Sequence, residues 1–304
     1  MSRLSSPAPL ALLAFDHRAE FSRATFGCEP TQLPERDLER LVEAKALIAE
    51  SYLQAIEVDP APVRGGILVD EQAGAAVLRA SMERDFVLGL PVERADQDIF
   101  TFQFGDDFRP HIQDFAPDFV KALIRYNTDD AKADRQTQID RLLVLSNWLR
   151  EAGMEFMFEL VVRPSAQQLA SVGGDRVRYE DDLRPQVVLA CMRDLLAAGI
   201  HVDIWKLEGI ADPAAAALIG QCATQGGARE CVILGGGASV DRVDRWLQVA
   251  AGTEGFNGFV IGRSIWREPV KAWLSGTSTK DEARTSIATE YRTFVQRYLR
   301  HAAA

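Results

Sequence analysis

Short apolar runs recur along the chain, and most are followed by a stretch with helical spacing. Residues 9–15 form a continuous apolar run that ends in Asp16-His17-Arg18. Residues 65–70, 119–127, 154–162, 203–209, 231–234 and 258–261 have the same form. Each is read as a buried parallel strand, because a strand covered on both faces carries little alternation. Residues 86–92 and 99–104 are two further apolar stretches around a turn or hairpin. A helix opens near residues 33–37 and keeps Leu38, Leu41, Val42, Ala46, Ile48 and Ala49 at helical spacing. Others are expected over residues 74–84, 130–152, 182–198, 214–224, 239–250, 268–274 and 280–299. Gly153 suits the position after a helix end, and Ser239 suits an N-cap. Strands alternating with helices imply a parallel sheet, and about eight of them imply a closed (β/α)8 TIM barrel. The chain is therefore read as one barrel domain, residues 1–304, with an extra C-terminal helix. An open doubly wound sheet would want G-x-G-x-x-G after its first strand, and none is present.

The 304 residues are 47% hydrophobic and 26% charged, proportions of a globular protein able to bury a large core. A net charge of -10 without a basic stripe argues against nucleic acid as a partner. The apolar run at residues 10–15 is too short to span a membrane and lacks a cleavage site. Cys28, Cys191, Cys222 and Cys231 are scattered with no CxxC pair, which fits core thiols in a reducing compartment. A cytoplasmic protein with no membrane partner is expected. A homo-oligomer is compatible with the charge and the long last helix.

The polar residues that interrupt these strands carry the chemistry. Lys206 lies inside the apolar run at residues 203–209. A buried ammonium is costly, so such a lysine is paired, neutralised or used. When used, a desolvated lysine attacks ketones and forms a Schiff base. The plainer alternative is a strand-end lysine paired with Glu208 or reaching solvent. Other charges gather at the same ends of other strands: Asp16, His17 and Arg18 on the first, Asp70 and Glu71 on the second, Lys121 and Arg125 on the fourth, Glu159 and Arg163 on the fifth. That is where barrels place their active sites. Glu159, in a partly apolar run, is expected to be tuned for proton transfer near neutral pH. A second ammonium, Lys121, close to Lys206 would favour its neutral amine. Gly235-Gly236-Gly237 and Gly262-Arg263 follow the seventh and eighth strands, where barrels often bind phosphate. Only His17 among the four histidines ends a strand, so a zinc site is not expected. A carboxylate-held Mg²⁺ at Asp16, Asp70 and Glu71 is the metal alternative.

Ala14-Phe15-Asp16-His17-Arg18, Phe119-Val120-Lys121, Phe158-Glu159-Leu160, Trp205-Lys206-Leu207-Glu208 and Gly262-Arg263-Ser264-Ile265-Trp266 come in an order that resembles the class I aldolases of the tagatose-bisphosphate aldolase group. Within that group the chain looks closest to the 2-deoxy-5-keto-gluconate 6-phosphate aldolase domain of bacterial myo-inositol breakdown, here without its kinase half. The resemblance implies a metal-independent, cofactor-free retro-aldol cleavage of a phosphorylated keto acid or ketose. The products would be dihydroxyacetone phosphate and an aldehyde, malonate semialdehyde for the gluconate substrate. It implies that Lys206 forms the Schiff base, that Glu159 is the acid/base, and that Lys121 and Asp16 orient groups or shuttle protons. Gly235, Gly236, Gly262 and Arg263 would hold the phosphate. The family pattern often has Asp-Gln where this chain has Asp16-His17, which leaves the role of His17 open. Arg18, Arg125 and Arg163 are candidates for a substrate carboxylate. The alternatives are an aldolase for another ketose phosphate (tagatose bisphosphate or a sulfo-sugar phosphate), a Mg²⁺-assisted barrel isomerase or decarboxylase, and a non-catalytic phosphosugar-binding barrel.

Overall fold

The computed structural model describes residues 3–29 and 32–303. Eight parallel strands close a barrel in sequence order: β1 (Leu10–Ala14), β2 (Arg64–Leu68), β3 (Val87–Pro91), β4 (Phe119–Arg125), β5 (Glu155–Val161), β6 (Ile204–Glu208), β7 (Glu230–Leu234) and β8 (Phe256–Ile261). The TIM barrel expected from the alternation is the fold observed. The helices that cover it include α1 (Ala19–Phe26), α2 (Glu35–Val58), α3 (Glu71–Ser81), α4 (Phe108–Phe115) and α5 (Lys132–Ala152). Short helices α6 (Ala166–Ser171) and α7 (Arg176–Arg178) lead into α8 (Arg184–Ala197), followed by α9 (Pro213–Gln225), α10 (Val240–Ala251) and α11 (Arg263–Leu274). The extra C-terminal helix is α12 (Lys280–Ala302), opened by a capping box between Thr279 and Glu282. Among the described residues no helix is long and apolar enough to cross a membrane.

Two cores follow from the period-two alternation of strand side chains. On β4, Val120, Ala122 and Ile124 join the large apolar layer under the helices, whereas Phe119 joins a smaller cluster with Leu10, Leu12, Met157, Ile204, Val232 and Val260 inside the barrel. The same parity on β5 and β6 sends Phe156, Phe158, Leu160, Trp205 and Leu207 outward. Met157 and Ile204 point inward, and the next inward positions, Glu159 and Lys206, stand above them. The barrel interior is thus apolar at its base and charged at its upper end. Its volume is closely filled: a Cβ on Gly89 would lie 2.1 Å from the Phe119 ring, so β3 is bare where β4 brings its largest side chain inward.

Three features depart from the sequence pattern. Residues 99–104 form no strand and contribute only an isolated antiparallel bridge between Glu93 and Phe102. Their apolar side chains serve packing instead, with Phe102 stacked on Phe108 of the unanticipated helix α4. Helix α1 is also unanticipated, its fully buried apolar residues being Ala19 and Phe21, with Phe26 partly buried before the left-handed Gly27 stops it. Helix α11 starts at Arg263, five residues earlier than the spacing predicts, directly at the end of β8.

Candidate active site

The upper ends of β1, β3, β4, β5 and β6 bring one charged cluster together around Lys121. Its Nζ lies 2.8 Å from Asp16 Oδ2, 3.0 Å from Glu93 Oε1 and 2.8 Å from Glu159 Oε2. Three carboxylates stand at ion-pairing distance from one ammonium, Glu93 Oε1 accepting a hydrogen bond from it, and all four side chains are buried. Burial alone would push Lys121 toward the neutral amine, but the carboxylates of Asp16, Glu159 and Glu93 outweigh it and hold the ammonium firmly charged. Lys121 is therefore a neutralised cation, so the positive field expected from it at Lys206 is largely cancelled.

Lys206 stands beside this shell, its Nζ 3.0 Å from Glu159 Oε2. Glu159 and Lys206 are direct register partners on β5 and β6, which explains why the lysine meets this carboxylate and not Glu208 two residues along its own strand. Glu208 instead accepts from the Val162 N–H at 3.3 Å and approaches Arg184. Burial favours the protonated form of Glu159, but the ammonium groups of Lys121 and Lys206 reverse this and lower its pKa. The expectation of a carboxyl poised near neutrality does not hold in this state: Glu159 is ionised, a base in contact with an ammonium. Asp16 behaves likewise, with burial overcome by Lys121, Lys206 and His17.

His17 lies over this cluster, its Nδ1 3.8 Å from Asp16 Oδ1 and without a hydrogen-bond partner. Burial, helped by the positive charges of Arg263 and Lys206, lowers it to about 3 against the pull of Asp16, so its imidazole is neutral. Its ring meets Trp266 edge-on, and Trp266 stacks on Phe21 and donates from Nε1 to the Ala14 carbonyl at 2.8 Å. From below, Lys45 of α2 contacts the His17 carbonyl at 3.1 Å while paired with the buried Asp70. Asp70 also caps α3 through the Ala73 N–H, so it faces the helix layer and not the barrel mouth. Among the described residues no group of three or more His, Cys, Asp or Glu side chains is arranged to hold a metal ion.

A pocket opens above the cluster, lined by Asp16, His17, Arg18, Lys121, Glu159 and Lys206 and by a rim that includes Arg94, Gln97 and Arg125. Glu93 lines it too, and sequence reasoning missed it. Counting in twos from Val87 along β3 places it inward, but the expected hairpin at residues 86–104 hid that parity. Arg18 is buried against it, donating to Glu93 Oε1 at 3.0 Å and to the Glu93 carbonyl at 2.6 Å. Arg163 does not join the pocket: it is exposed, pairs with Asp98 at 2.9 Å and borders a separate hollow. Arg163 lies two residues past the end of β5, where the count in twos from Glu159 no longer aims a side chain inward because the strand has ended.

The glycine loops meet across β7 and β8. Gly236 and Gly237 have positive φ of 56° and 74°, and Arg263 and Arg267 lie against Gly237. Gly262 is packed so closely on β1 that a Cβ would sit 2.1 Å from the Ala14 carbonyl and 3.2 Å from His17. Arg263, first residue of α11, is engaged by Glu20 of α1. Of the predicted phosphate residues, Gly262 packs against His17 and Arg263 is held by Glu20, whereas none of Gly235, Gly236, Gly262 and Arg263 lines the pocket above Lys206.

The profile of a family described as an uncharacterized protein conserved in bacteria (DUF2090) matches residues 2–302. The chain belongs to the DUF2090 family. No curated protein matches this DUF2090 chain. Among solved structures it is similar to Cgl0159 from Corynebacterium glutamicum, with TM-score 0.60 and 18% identity over 96% of this chain and 88% of that one. It is also similar to a Schiff-base-forming fructose-1,6-bisphosphate aldolase, with TM-score 0.57 and 14% identity over 95% and 94% of the two chains. An archaeal fructose-1,6-bisphosphate aldolase with its catalytic Lys bound to the carbinolamine intermediate gives TM-score 0.57 and 13% identity over 97% and 95%. At these identities the likeness is one of fold, and this DUF2090 barrel shares it along nearly its whole length.

Proposed function

We propose that the protein is a class I aldolase in which Lys206 forms a Schiff base with the ketone of a phosphorylated keto acid or ketose. The observation that carries this reading is the 3.0 Å contact between Lys206 Nζ and ionised Glu159, on adjacent strands at the upper end of the barrel. An ammonium cannot attack a carbonyl, and Glu159 is the base in reach to take its proton. Proton transfer to Glu159 frees the amine, which adds to the ketone carbon, and loss of water from the carbinolamine leaves a protonated imine. Removing the charge of Lys206 in the addition step also removes one of the two cations that hold Glu159 ionised. Glu159 thereby becomes able to return its proton to the departing hydroxyl.

Cleavage then needs a base for the proton of the hydroxyl on the far carbon of the bond that breaks, the carbon that becomes the aldehyde. Glu159 takes that proton, the carbon–carbon bond breaks, and its electron pair enters the imine to give an enamine as the aldehyde leaves. Reprotonation of the enamine carbon and addition of water release dihydroxyacetone phosphate and restore the amine. Lys121 keeps its proton throughout and balances whichever carboxylates are charged. Asp16 holds Lys121 and faces His17.

The motifs from Asp16 to Trp266 and the shared fold of two Schiff-base aldolases support this reading. The motif resemblance alone, not the shared fold, points to 2-deoxy-5-keto-gluconate 6-phosphate as substrate and malonate semialdehyde as the aldehyde, with the phosphate at Gly235, Gly236, Gly262 and Arg263. The test is borohydride reduction in the presence of dihydroxyacetone phosphate, followed by peptide mass spectrometry. A reduced adduct on the peptide holding Lys206, absent in Lys206→Ala, is expected. A folded protein with no adduct, or with the adduct on another lysine, would sink the proposal.

A further inference from the structure

We infer that Arg125, on the pocket wall formed by β4, binds a carboxylate carried by the part of the substrate that leaves as the aldehyde; this rests on the aldolase reading above. The guanidinium groups around the pocket are in different states. Arg18 is buried against Glu93, Arg263 is held by Glu20, and Arg163 pairs with Asp98 away from the pocket. Arg94, on the rim, is exposed and already solvated. Arg125 is half-buried, lines the pocket and donates from NH1 to the Gln97 carbonyl. Among the described residues it has no carboxylate at ion-pairing distance. The two nearby acids are taken by other arginines, Asp96 by Arg23 at 2.7 Å and Asp98 by Arg163 at 2.9 Å. Burial and the neighbouring charge of Arg163 both act against the Arg125 cation, as expected for a guanidinium short of an anion.

The barrel geometry gives this cation its place relative to the chemistry. Lys121, Leu123 and Arg125 share the inward parity of β4 and all line the pocket, so Arg125 stands about 13 Å further up the strand than Lys121. In a closed ring of eight strands, β4 and β8 lie opposite each other and β6 lies midway between them. Lys206 is therefore a quarter turn from Arg125 on one side and from Arg263 on the other. A substrate with its ketone at Lys206 and its phosphate at the β7–β8 glycines directs its other end toward β4. A carboxylate suits Arg125 better than a second phosphate does. With NH1 held by Gln97, the remaining edge of one guanidinium offers a single two-pronged fork, the match for a carboxylate. Residues 93–97 and 121–125, which form this wall, contain no glycine, so it lacks a backbone turn like that of Gly235–Gly237.

The experiment compares two four-carbon aldehydes, succinic semialdehyde and butanal, in addition to dihydroxyacetone phosphate. The readout is the ratio of their kcat/KM values. The wild type is expected to favour the carboxylate-bearing aldehyde by about tenfold or more, and Arg125→Gln to reduce that ratio by about tenfold. Arg125→Lys, which keeps the charge without the fork, is expected to reduce it by about threefold and serves if the Gln variant does not fold. A wild-type ratio near one, or a ratio unchanged within about twofold in folded variants, overturns the assignment. Calorimetric titration with succinate separates this failure from failure of the aldolase reading. If borohydride traps no adduct, succinate binding about fivefold or more weaker in Arg125→Gln than in wild type still supports the anion site. Equal binding, or no saturable binding to the wild type, overturns it.

Discussion

Lys121 Nζ and Glu159 Oε2 lie 2.8 Å apart on neighbouring strands, and the same oxygen lies 3.0 Å from Lys206 Nζ. One carboxylate oxygen thus serves two ammonium groups, of which Lys121 is also close to Asp16 and Glu93. Replacing Lys121 by Met would leave Asp16, Glu93 and Glu159 buried beside one another without their shared counter-ion. The expected loss of stability is on the order of 3–5 kcal/mol, measured by urea denaturation. Adding Asp16→Asn should recover part of that loss, because Asp16 loses its close cationic partner with Lys121, whereas Glu93 keeps Arg18 at 3.0 Å. A double variant no more stable than Lys121→Met would contradict the shell described here.

The same cluster sets a pH window. Asp16 and Glu159 have folded pKa values below their ordinary 3.8 and 4.5, so their contribution is present above those values and is lost as pH falls. Lys121 is raised above 10.5, so its contribution is present below that value and is lost only as pH rises further. His17 works in the opposite sense to an ion pair. Its folded value is about 3 against an ordinary 6.5, so below 6.5 the unfolded chain takes up a proton that the folded chain refuses. Stability should fall as pH drops below 6.5, with a slope of at most about 1.4 kcal/mol per pH unit from this group. In His17→Gln the slope between pH 6.5 and 5 should flatten, as read from chemical denaturation at each pH.

Glu20 competes with any anion for Arg263. Substituting Glu20 by Ala is therefore expected to tighten binding of inorganic phosphate by about three- to tenfold, measured by calorimetry, with the effect shrinking at high salt. Unchanged affinity would place the phosphate away from Arg263.

Trp266 ties the end of β8 to the end of β1. In Trp266→Phe the Ala14 carbonyl loses its donor and the stack on Phe21 shrinks, at a cost of about 1–3 kcal/mol. Because the indole also touches His17, borohydride trapping in this variant should slow more than that stability loss accounts for.

The eight strands were legible because each is an apolar run between helical stretches, and the buried charges on them stood out for the same reason. Lys206, Glu159 and Lys121 were found as charges inside apolar strands and Asp16 as a charge just past the end of one, and the structure brings all four together. Glu93 escaped because it follows β3 in a segment whose aromatic residues imitate a hairpin while packing against α4. Arg163 was over-read: it keeps the count in twos from Glu159, but that count aims a side chain inward only within the strand, and β5 ends at Val161. The partners were beyond the pattern altogether. That Lys206 meets Glu159 and not Glu208 depends on the stagger between β5 and β6, which no local periodicity encodes.

The even-numbered strands divide the barrel mouth into quarters. Asp70, after β2, is turned into the helix layer by Lys45, Arg125 and Lys206 line the pocket in two other quarters, and Arg263 stands past the end of β8 beside Gly237. Three unlike points on a ring have a handedness. A molecule held at all three cannot be turned over, so only one face of its planar enamine meets the incoming aldehyde. A product made in this barrel would carry one configuration at each new stereocentre, chosen by the order of strands around the ring.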